Sequence, residues 1–269
     1  MNQLLNQAIS VAVKAGEAIM AIYDTDFAQY EKQDSSPLTE ADLASHRMII
    51  DGLSNFSDLP VLSEESSEAE MDWDIRRQWQ KYWLIDPLDG TKEFINKNGE
   101  FTVNIALIEN GKSILGVVYC PAIGRLYYGA QGIGAYKVEN GQQASPIQVA
   151  ANPIDKQSWK IVGSRRHGIE TLNQFASALG DVEPVSMGSS LKLCLVAEGA
   201  AHLYPRLAPT CEWDTAAAQA IVEQAGGQVL KPDLSPLEYG RKQELLNPFF
   251  IVCNRADERW TRTFTELSN

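Results

Sequence analysis

Over the first 25 positions, apolar residues recur at the spacing of an amphipathic helix, with Leu5, Ile9, Ala12, Val13, Gly16 and Ile19 on one face. A polar stretch, KQDSSPLTEAD, then interrupts the rhythm before a second helical run, ADLASHRMIIDGLSN. Thr39, followed three residues later by Asp42, resembles a capping box, so this helix is expected to begin near Glu40. LPVLSEE predicts a short strand, and SSEAEMDWDIRRQW a surface loop or short helix. The apolar run KYWLIDP predicts a buried strand that delivers Asp86 at its end. FTVNIALIENGKSILGVVYCP reads as a hairpin across Glu109, Asn110 and Gly111, and RLYYGAQGIGAYKV as two more strands around glycines.

Past the proline-bearing segment ENGQQASPIQVAANPIDKQSW the rhythm changes. WKIVGS is a strand, GIETLNQFASALG a helix, and EPVSMG a strand-like approach to a helix in SSLKLCLVAEG. AAHLYPRL is again a strand, DTAAAQAIVEQAGG a helix closed by glycines, and FFIVCN a late strand. The expected organisation is an α+β domain over residues 1–150 and an α/β domain over residues 151–269, with the active site where they meet.

Composition adds limits. The 269 residues are 44% hydrophobic and 22% charged, ordinary for a folded chain with a sizeable core. A formal net charge of −12 argues against an electrostatic grip on long nucleic acid. A small anionic substrate stays open, because exposed charges are screened beyond about 8 Å at physiological salt. Cys120, Cys194, Cys211 and Cys253 show no CxxC spacing, which removes zinc-ribbon and redox-pair readings. Cys120, Cys194 and Cys253 lie in apolar runs and are expected as buried free thiols in a reducing compartment. The N-terminal helix lacks the form of a leader, and no later segment has the length and apolarity of a membrane span. The expectation is a cytoplasmic chain, free or attached at the inner membrane face.

Three acidic motifs carry the candidate chemistry. In Asp86-Pro87-Leu88-Asp89-Gly90-Thr91, two carboxylates flank a turn leaving a buried strand, with Pro87 fixing one φ and Gly90 allowing close backbone approach. Carboxylates brought together this way raise each other's pKa unless cations neutralise them, and hard divalent cations prefer such oxygen ligands. If a helix starts near Thr91, its free N–H groups could hold a phosphate oxygen. Ser63-Glu64-Glu65 follows the apolar Pro60-Val61-Leu62, and Asp214 in Trp213-Asp214-Thr215 precedes an alanine-rich helix. Taken singly, each has a plainer reading: an Asx-turn, a solvated strand edge, and an aspartate N-cap.

Taken together and in this order, the motifs resemble the inositol monophosphatase-like superfamily of magnesium-dependent, lithium-sensitive phosphatases. The run K-x-D-x-S-P-L-T-E-A-D at residues 32–42 resembles that family's N-terminal motif, and the likeness extends over residues 12–254. YWLIDPLDGTKEFI, NGEFTVNIALIENGKSILGVVYCP and GSSLKLCLVAEGAAHLYPR followed by WDTAAAQA are similar to its bacterial 3′(2′),5′-bisphosphate nucleotidase branch. Lys92-Glu93-Phe94, where inositol monophosphatases typically carry x-Asn-Phe, favours that branch.

The resemblance implies a layered αβαβα sandwich. It also implies hydrolysis of adenosine 3′,5′-bisphosphate to AMP and phosphate, with the corresponding phosphosulfate as a second substrate, in sulfur assimilation. Two or three Mg²⁺ ions are implied, one held by Glu64, Asp86 and the Leu88 carbonyl, another by Asp86, Asp89 and Asp214; Glu65 is the alternative to Glu64. Asp42, Thr91 and Glu64 are the implied catalytic residues, Thr91 positioning the attacking water and Asp42 accepting a proton through its hydroxyl. Ser189, Lys192 and Arg206 are placed against the second phosphate and base; a spacing of three lets Ser189 and Lys192 face one side of a helix. The substrate is also expected against Glu64, Leu88, Asp89, Gly90, Thr91 and Asp214, with His167 at the adenine or a phosphate. His46 and His202 read as structural, and Trp213 as a wall beside Asp214.

Sibling chemistry remains open: inositol monophosphatase, fructose-1,6-bisphosphatase or NADP(H) phosphatase. So do a non-catalytic nucleotide- or metal-binding regulator and an oligonucleotide exonuclease, the last disfavoured by the charge and the lack of a basic stripe.

Overall fold

Residues 1–25, 29–31, 37–154, 157–163 and 169–268 are described by a computed structural model. Helix α1 (Asn2–Tyr23) is followed by a short antiparallel pair, β1 (Gln29–Glu31) and β2 (Pro37–Thr39), and by helix α2 (Glu40–Ser54). The strands β3 (Val61–Ser63), β4 (Lys81–Asp89), β5 (Thr102–Glu109), β6 (Lys112–Cys120), β7 (Arg125–Ala130), β8 (Gly134–Glu139) and β9 (Ser145–Pro146) lie side by side in chain order. They form a seven-stranded sheet, antiparallel except for β3 beside β4. Helices α3 (Trp73–Arg76) and α4 (Thr91–Ile95) lie in its connections.

A second sheet has five strands, β10 (Trp159–Gly163), β11 (Val182–Ser186), β12 (Leu203–Arg206), β13 (Gln228–Leu230) and β14 (Phe250–Cys253), in the order β11-β10-β12-β14-β13. The first three run parallel, joined by helices α5 (Ile169–Leu179) and α6 (Leu191–Ala197); β14 runs antiparallel to β12 and β13. Helices α7 (Glu212–Gln224) and α8 (Glu258–Leu267) complete the chain.

Three apolar clusters stack these parts into five layers. Ile19, Ile49 and Leu53 of α1 and α2 pack on Trp83, Ile105 and Val117 of the seven-stranded sheet. Its other face meets α6 and α7, which also contact the five-stranded sheet through Tyr204, Val229 and Val252. Trp159, Ile161 and Ile251 on the far side of that sheet pack against Phe175 of α5 and Trp260 and Phe264 of α8. The result is the expected αβαβα sandwich, with α6 and α7 as the middle layer.

Most sequence expectations hold. The predicted capping box closes the start of α2, and the hairpin turns at Asn110 and Gly111, with φ of 51° and 82°. Such positive angles suit the tight turn between twisted strands. The buried face of α1 is rotated from the one expected: Ala8, Val11 and Ala15 are buried, whereas Ile9 and Val13 are only half-buried. Small residues on that face let α1 lie close to α2, where Val11 meets Gly52. Cys120, Cys194 and Cys253 are buried free thiols, and Cys211 is half-buried. Among the described residues no helix is long and apolar enough to cross a membrane.

Candidate active site

Strand β4 is buried from Tyr82 to Leu88 and continues past Asp86 to Asp89 with a break in register between them. Pro87 cannot donate to the ladder, so the strand bulges there and turns two carboxylates toward one side. Asp86 Oδ1 accepts the Leu88 N–H at 3.0 Å, so the Asx-turn is present; Asp86 Oδ2 is buried without a hydrogen-bond partner. Parallel pairing of β3 with β4 sets Ser63 opposite Ile85, and the Glu64 N–H donates to the Ile85 carbonyl at 3.2 Å. That places Glu64 against Asp86.

Asp214 arrives from the other half of the chain. Helix α7 begins at Glu212, earlier than the sequence suggests, so Asp214 sits inside the first turn rather than ahead of it. Its Oδ2 accepts the Cys211 N–H at 2.8 Å, closing a capping arrangement. One oxygen each from Asp86, Asp89 and Asp214 lies within 4.8 Å of the others. Burial holds the Asp86 carboxyl well above its ordinary range, and the charges of Glu64, Asp89 and Asp214 add to the effect. Asp214 is likewise raised by burial and by Asp89, against the lowering influence of the Cys211 N–H. Such a set is costly when ionised and uncompensated. An orphaned buried oxygen among converging carboxylates is a donor set that fits a hard divalent cation.

Beside this cluster, Thr91 Oγ1 donates to Asp42 Oδ1 at 3.3 Å and lies 3.4 Å from the Leu88 carbonyl. Asp42 is fixed by its other oxygen, which accepts the Thr39 N–H at 2.7 Å and the Thr39 hydroxyl at 2.6 Å. Gly90 caps α4 with φ of 93°, and the Glu100 carbonyl would stand 3.2 Å from an added Cβ. Glycine meets both demands.

A cleft of about 590 Å³ opens from Asp89 and Asp214 and is bordered by Lys192, Arg206, Tyr204 and Phe250. Lys192 Nζ donates to the Ser189 carbonyl at 2.8 Å. Burial lowers its ammonium from the ordinary lysine value; Asp89 opposes the shift and Arg206 reinforces it. The Arg206 guanidinium is braced by the carbonyls of Ala208 and Pro209 at 3.1 and 2.9 Å. Tyr204 and Phe250 meet edge to face at 6.0 Å.

Ser189 departs from expectation. It precedes α6 with φ of 53°, so it shares no helical face with Lys192. Its hydroxyl lies 2.6 Å from Asp89 Oδ2 and 2.6 Å from Thr102 Oγ1. His167, with Arg165 and Arg166, and residues 32–36 of the N-terminal motif lie outside the described residues. His46 Nδ1 is 2.9 Å from Ser63 Oγ, and His202, at the bend before β12, has its Nδ1 accepting the Lys160 N–H at 2.8 Å. The sequence reading missed Thr102, Asn104 and Ser190, which are joined by hydrogen bonds beside Asp89; Thr102 and Asn104 are signalled as the two polar residues at alternate positions in the otherwise apolar FTVNIALI.

Residues 1–267 match the model of the inositol monophosphatase family. The chain is 49% identical over 254 residues to the 3′(2′),5′-bisphosphate nucleotidase CysQ of Salmonella typhimurium, covering 93% of this chain and 99% of that one. It is 34% identical over 263 residues to the nucleotidase CysQ of Haemophilus influenzae, covering 97% and 96%. A crystal structure of CysQ from Bacteroides thetaiotaomicron, a bacterial member of the inositol monophosphatase family, superposes with a TM-score of 0.81 at 43% identity, covering 94% of this chain and 98% of that one.

Proposed function

The chain belongs to the inositol monophosphatase family, and on that premise we propose that its site hydrolyses the 3′-phosphate of adenosine 3′,5′-bisphosphate with the residues assigned below. It is a phosphoric monoester hydrolase, a 3′(2′),5′-bisphosphate nucleotidase, and members of its family depend on metal ions. The products are AMP and inorganic phosphate, and the phosphosulfate analogue is a second substrate in this reading. The observation that carries the reading is the convergence of Asp86, Asp89 and Asp214 beside a cleft that also holds Lys192 and Arg206.

Glu64, Asp86 and the Leu88 carbonyl would hold one divalent cation, and Asp86, Asp89 and Asp214 another; we assign Mg²⁺, two or three ions. A cation held there offsets charge on the phosphoryl group and makes a bound water more acidic. The chain's own residues do the rest. Water attacks phosphorus as the bond to the 3′ oxygen breaks; the water gives its proton to Thr91 Oγ1, whose own proton passes to Asp42 Oδ1 along the 3.3 Å contact. The departing 3′ oxygen takes up a proton from solvent. Thr39 keeps Asp42 from turning away, through its N–H and hydroxyl. Lys192 and Arg206, two cations in one partly enclosed cleft, suit the second phosphate, where charge-assisted bonds are strong.

Phosphate release across a panel of esters, with Mg²⁺ and with chelator, tests the reading. Adenosine 3′,5′-bisphosphate is expected to exceed inositol 1-phosphate in kcat/KM, and chelator to abolish release from both. Asp89→Asn and Asp214→Asn should fold normally and lose more activity than the roughly 10–100-fold that partners outside a metal's ligands cost. Full turnover by both variants would sink the metal-site assignment, whereas a preference for inositol phosphate would sink only the substrate.

A further inference from the structure

Strand β5 holds two side chains that the fold alone does not require. Thr102 and Asn104 are 0% and 1% exposed, among positions otherwise taken by Val103, Ile105, Ala106 and Leu107. A buried polar group left without partners is destabilising, so the bonds these two make indicate why they are there. Asn104 Nδ2 donates to Ser190 Oγ at 2.8 Å, and Asn104 Oδ1 accepts from Thr102 Oγ1 at 3.0 Å. Thr102 Oγ1 lies 2.6 Å from Ser189 Oγ.

The two serines in turn grip Asp89. Its Oδ2 receives the Ser189 hydroxyl at 2.6 Å, the Ser190 N–H at 2.6 Å and the Ser190 hydroxyl at 2.7 Å. Ser190 Oγ also reaches the Asp214 carbonyl at 2.6 Å, so the cluster ties the end of β4 to the first turn of α7. Each hydroxyl has one proton to give. With Asn104 donating to it, Ser190 has its own proton left for Asp89 or for the Asp214 carbonyl. Thr102 likewise has one proton for two neighbours: given to Ser189 in place of Asn104 Oδ1, it commits the Ser189 proton to Asp89. The register of the ladder places these donors correctly: Thr102 pairs with Asp89 and Asn104 with Asp86, and opposed residues share a face of the sheet. A left-handed conformation is strained for a non-glycine residue, and Ser189 holds one while bonded to Thr102 and Asp89.

We infer that Thr102 and Asn104 are positioning residues, acting through Ser189 and Ser190 to orient the Asp89 carboxylate toward Asp86 and Asp214. The inference rests on the metal-site reading above. It concerns how firmly the carboxylates are arranged before a cation arrives, so cation affinity without substrate reports it directly.

The test uses full-length Thr102→Val, Thr102→Ser and Asn104→Leu proteins, with Mn²⁺ binding followed by electron paramagnetic resonance in the absence of substrate. Thr102→Val is nearly isosteric and suits a strand, so it separates the hydroxyl from the shape. Thr102→Val and Asn104→Leu are expected to weaken Mn²⁺ binding about 10–100-fold, with Thr102→Ser staying within about threefold of wild type. The Mg²⁺ concentration for half-maximal phosphate release should rise in parallel, while KM for the bisphosphate at saturating Mg²⁺ changes little. Unchanged Mn²⁺ affinity in Thr102→Val, with only a lower Tm, overturns the inference and leaves the metal site standing. Equal losses in Thr102→Val and Thr102→Ser also overturn it, since the hydroxyl would not be the cause. If Asn104→Leu fails to fold, the Thr102 pair decides. Wild-type protein that binds no Mn²⁺ overturns the metal-site reading and this inference with it.

Discussion

At Asp86, Oδ1 accepts the Leu88 N–H while Oδ2 has no partner; at Asp214, Oδ2 accepts the Cys211 N–H; at Asp42, Oδ2 takes both donors of Thr39 while Oδ1 faces Thr91. In each case the fold holds a carboxylate by one oxygen and turns it toward the site. The plain readings of these residues, as an Asx-turn and as helix caps, therefore describe the same side chains as the chemical readings and do not compete with them. Lys192 shows the same economy: its tie to the Ser189 carbonyl fixes the chain's bearing, and two of its three ammonium protons remain. A charge-assisted bond is worth about 1.5–3 kcal/mol, or roughly 10–100-fold in affinity. Lys192→Ala should accordingly raise KM for adenosine 3′,5′-bisphosphate by that factor while raising KM for a simple monophosphate far less. Steady-state kinetics on the two substrates checks this, and equal increases would count against a contact with the second phosphate.

Helix α7 shows how an element places such a residue. Gly116 of β6 and Gly129 of β7 are register partners, and α7 lies directly over them. A Cβ on Gly116 would come 1.9 Å from the Ala217 carbonyl, and one on Gly129 would come 3.2 Å from Ile221 Cα. Ala216, Ala217, Ala218 and Ala220 are all buried, and Ser113 Oγ donates to the Ala216 carbonyl at 2.7 Å, so the approach is close along the whole contact. Gly116→Ala should push α7 outward and take Asp214 with it. Overpacking of this kind costs about 1–3 kcal/mol, read as a drop in Tm at roughly 2–4 °C per kcal/mol for a chain of this size. Loss of activity beyond the loss of folded protein is the sign that Asp214 has moved. The alanine-rich run announced this helix in the sequence, and the D-P-L-D-G-T turn announced the strand end that faces it. Helix α8 was also legible, through Trp260, Phe264 and Leu267 at i, i+4 and i+7 in an otherwise polar run, although no element was expected past FFIVCN. Ser189 was not. Ser189 reads as part of a helix because Leu191 onward is helical, yet its bonds to Asp89 and Thr102 come from distant strands and hold it at positive φ.

Across the whole molecule, the metal-free protein gathers like charges at the junction of two sheets. Asp86 and Asp214 both have carboxyls raised well above their ordinary range, chiefly by burial. A group whose folded pKa exceeds its unfolded one gives its full stabilisation below the unfolded value, near 3.8 for these carboxyls, and loses it as pH rises through the raised folded value. The metal-free protein should therefore become less stable as pH climbs above about 4. A divalent cation acts in the opposite sense, because it binds the ionised carboxylates and its affinity grows as protons leave. At 100 times its dissociation constant a ligand adds about 2.7 kcal/mol, so the gap in Tm between Mg²⁺-loaded and chelator-treated protein should widen steadily with pH. Thermal melts at several pH values, with and without Mg²⁺, measure that gap. In Asp214→Asn, which removes one of the ionising groups, the metal-free protein should lose less stability with pH and gain less from Mg²⁺. A gap that stays constant with pH in the wild type would mean that the carboxylates do not have to ionise to receive the cation, and the electrostatic account of the junction would fail.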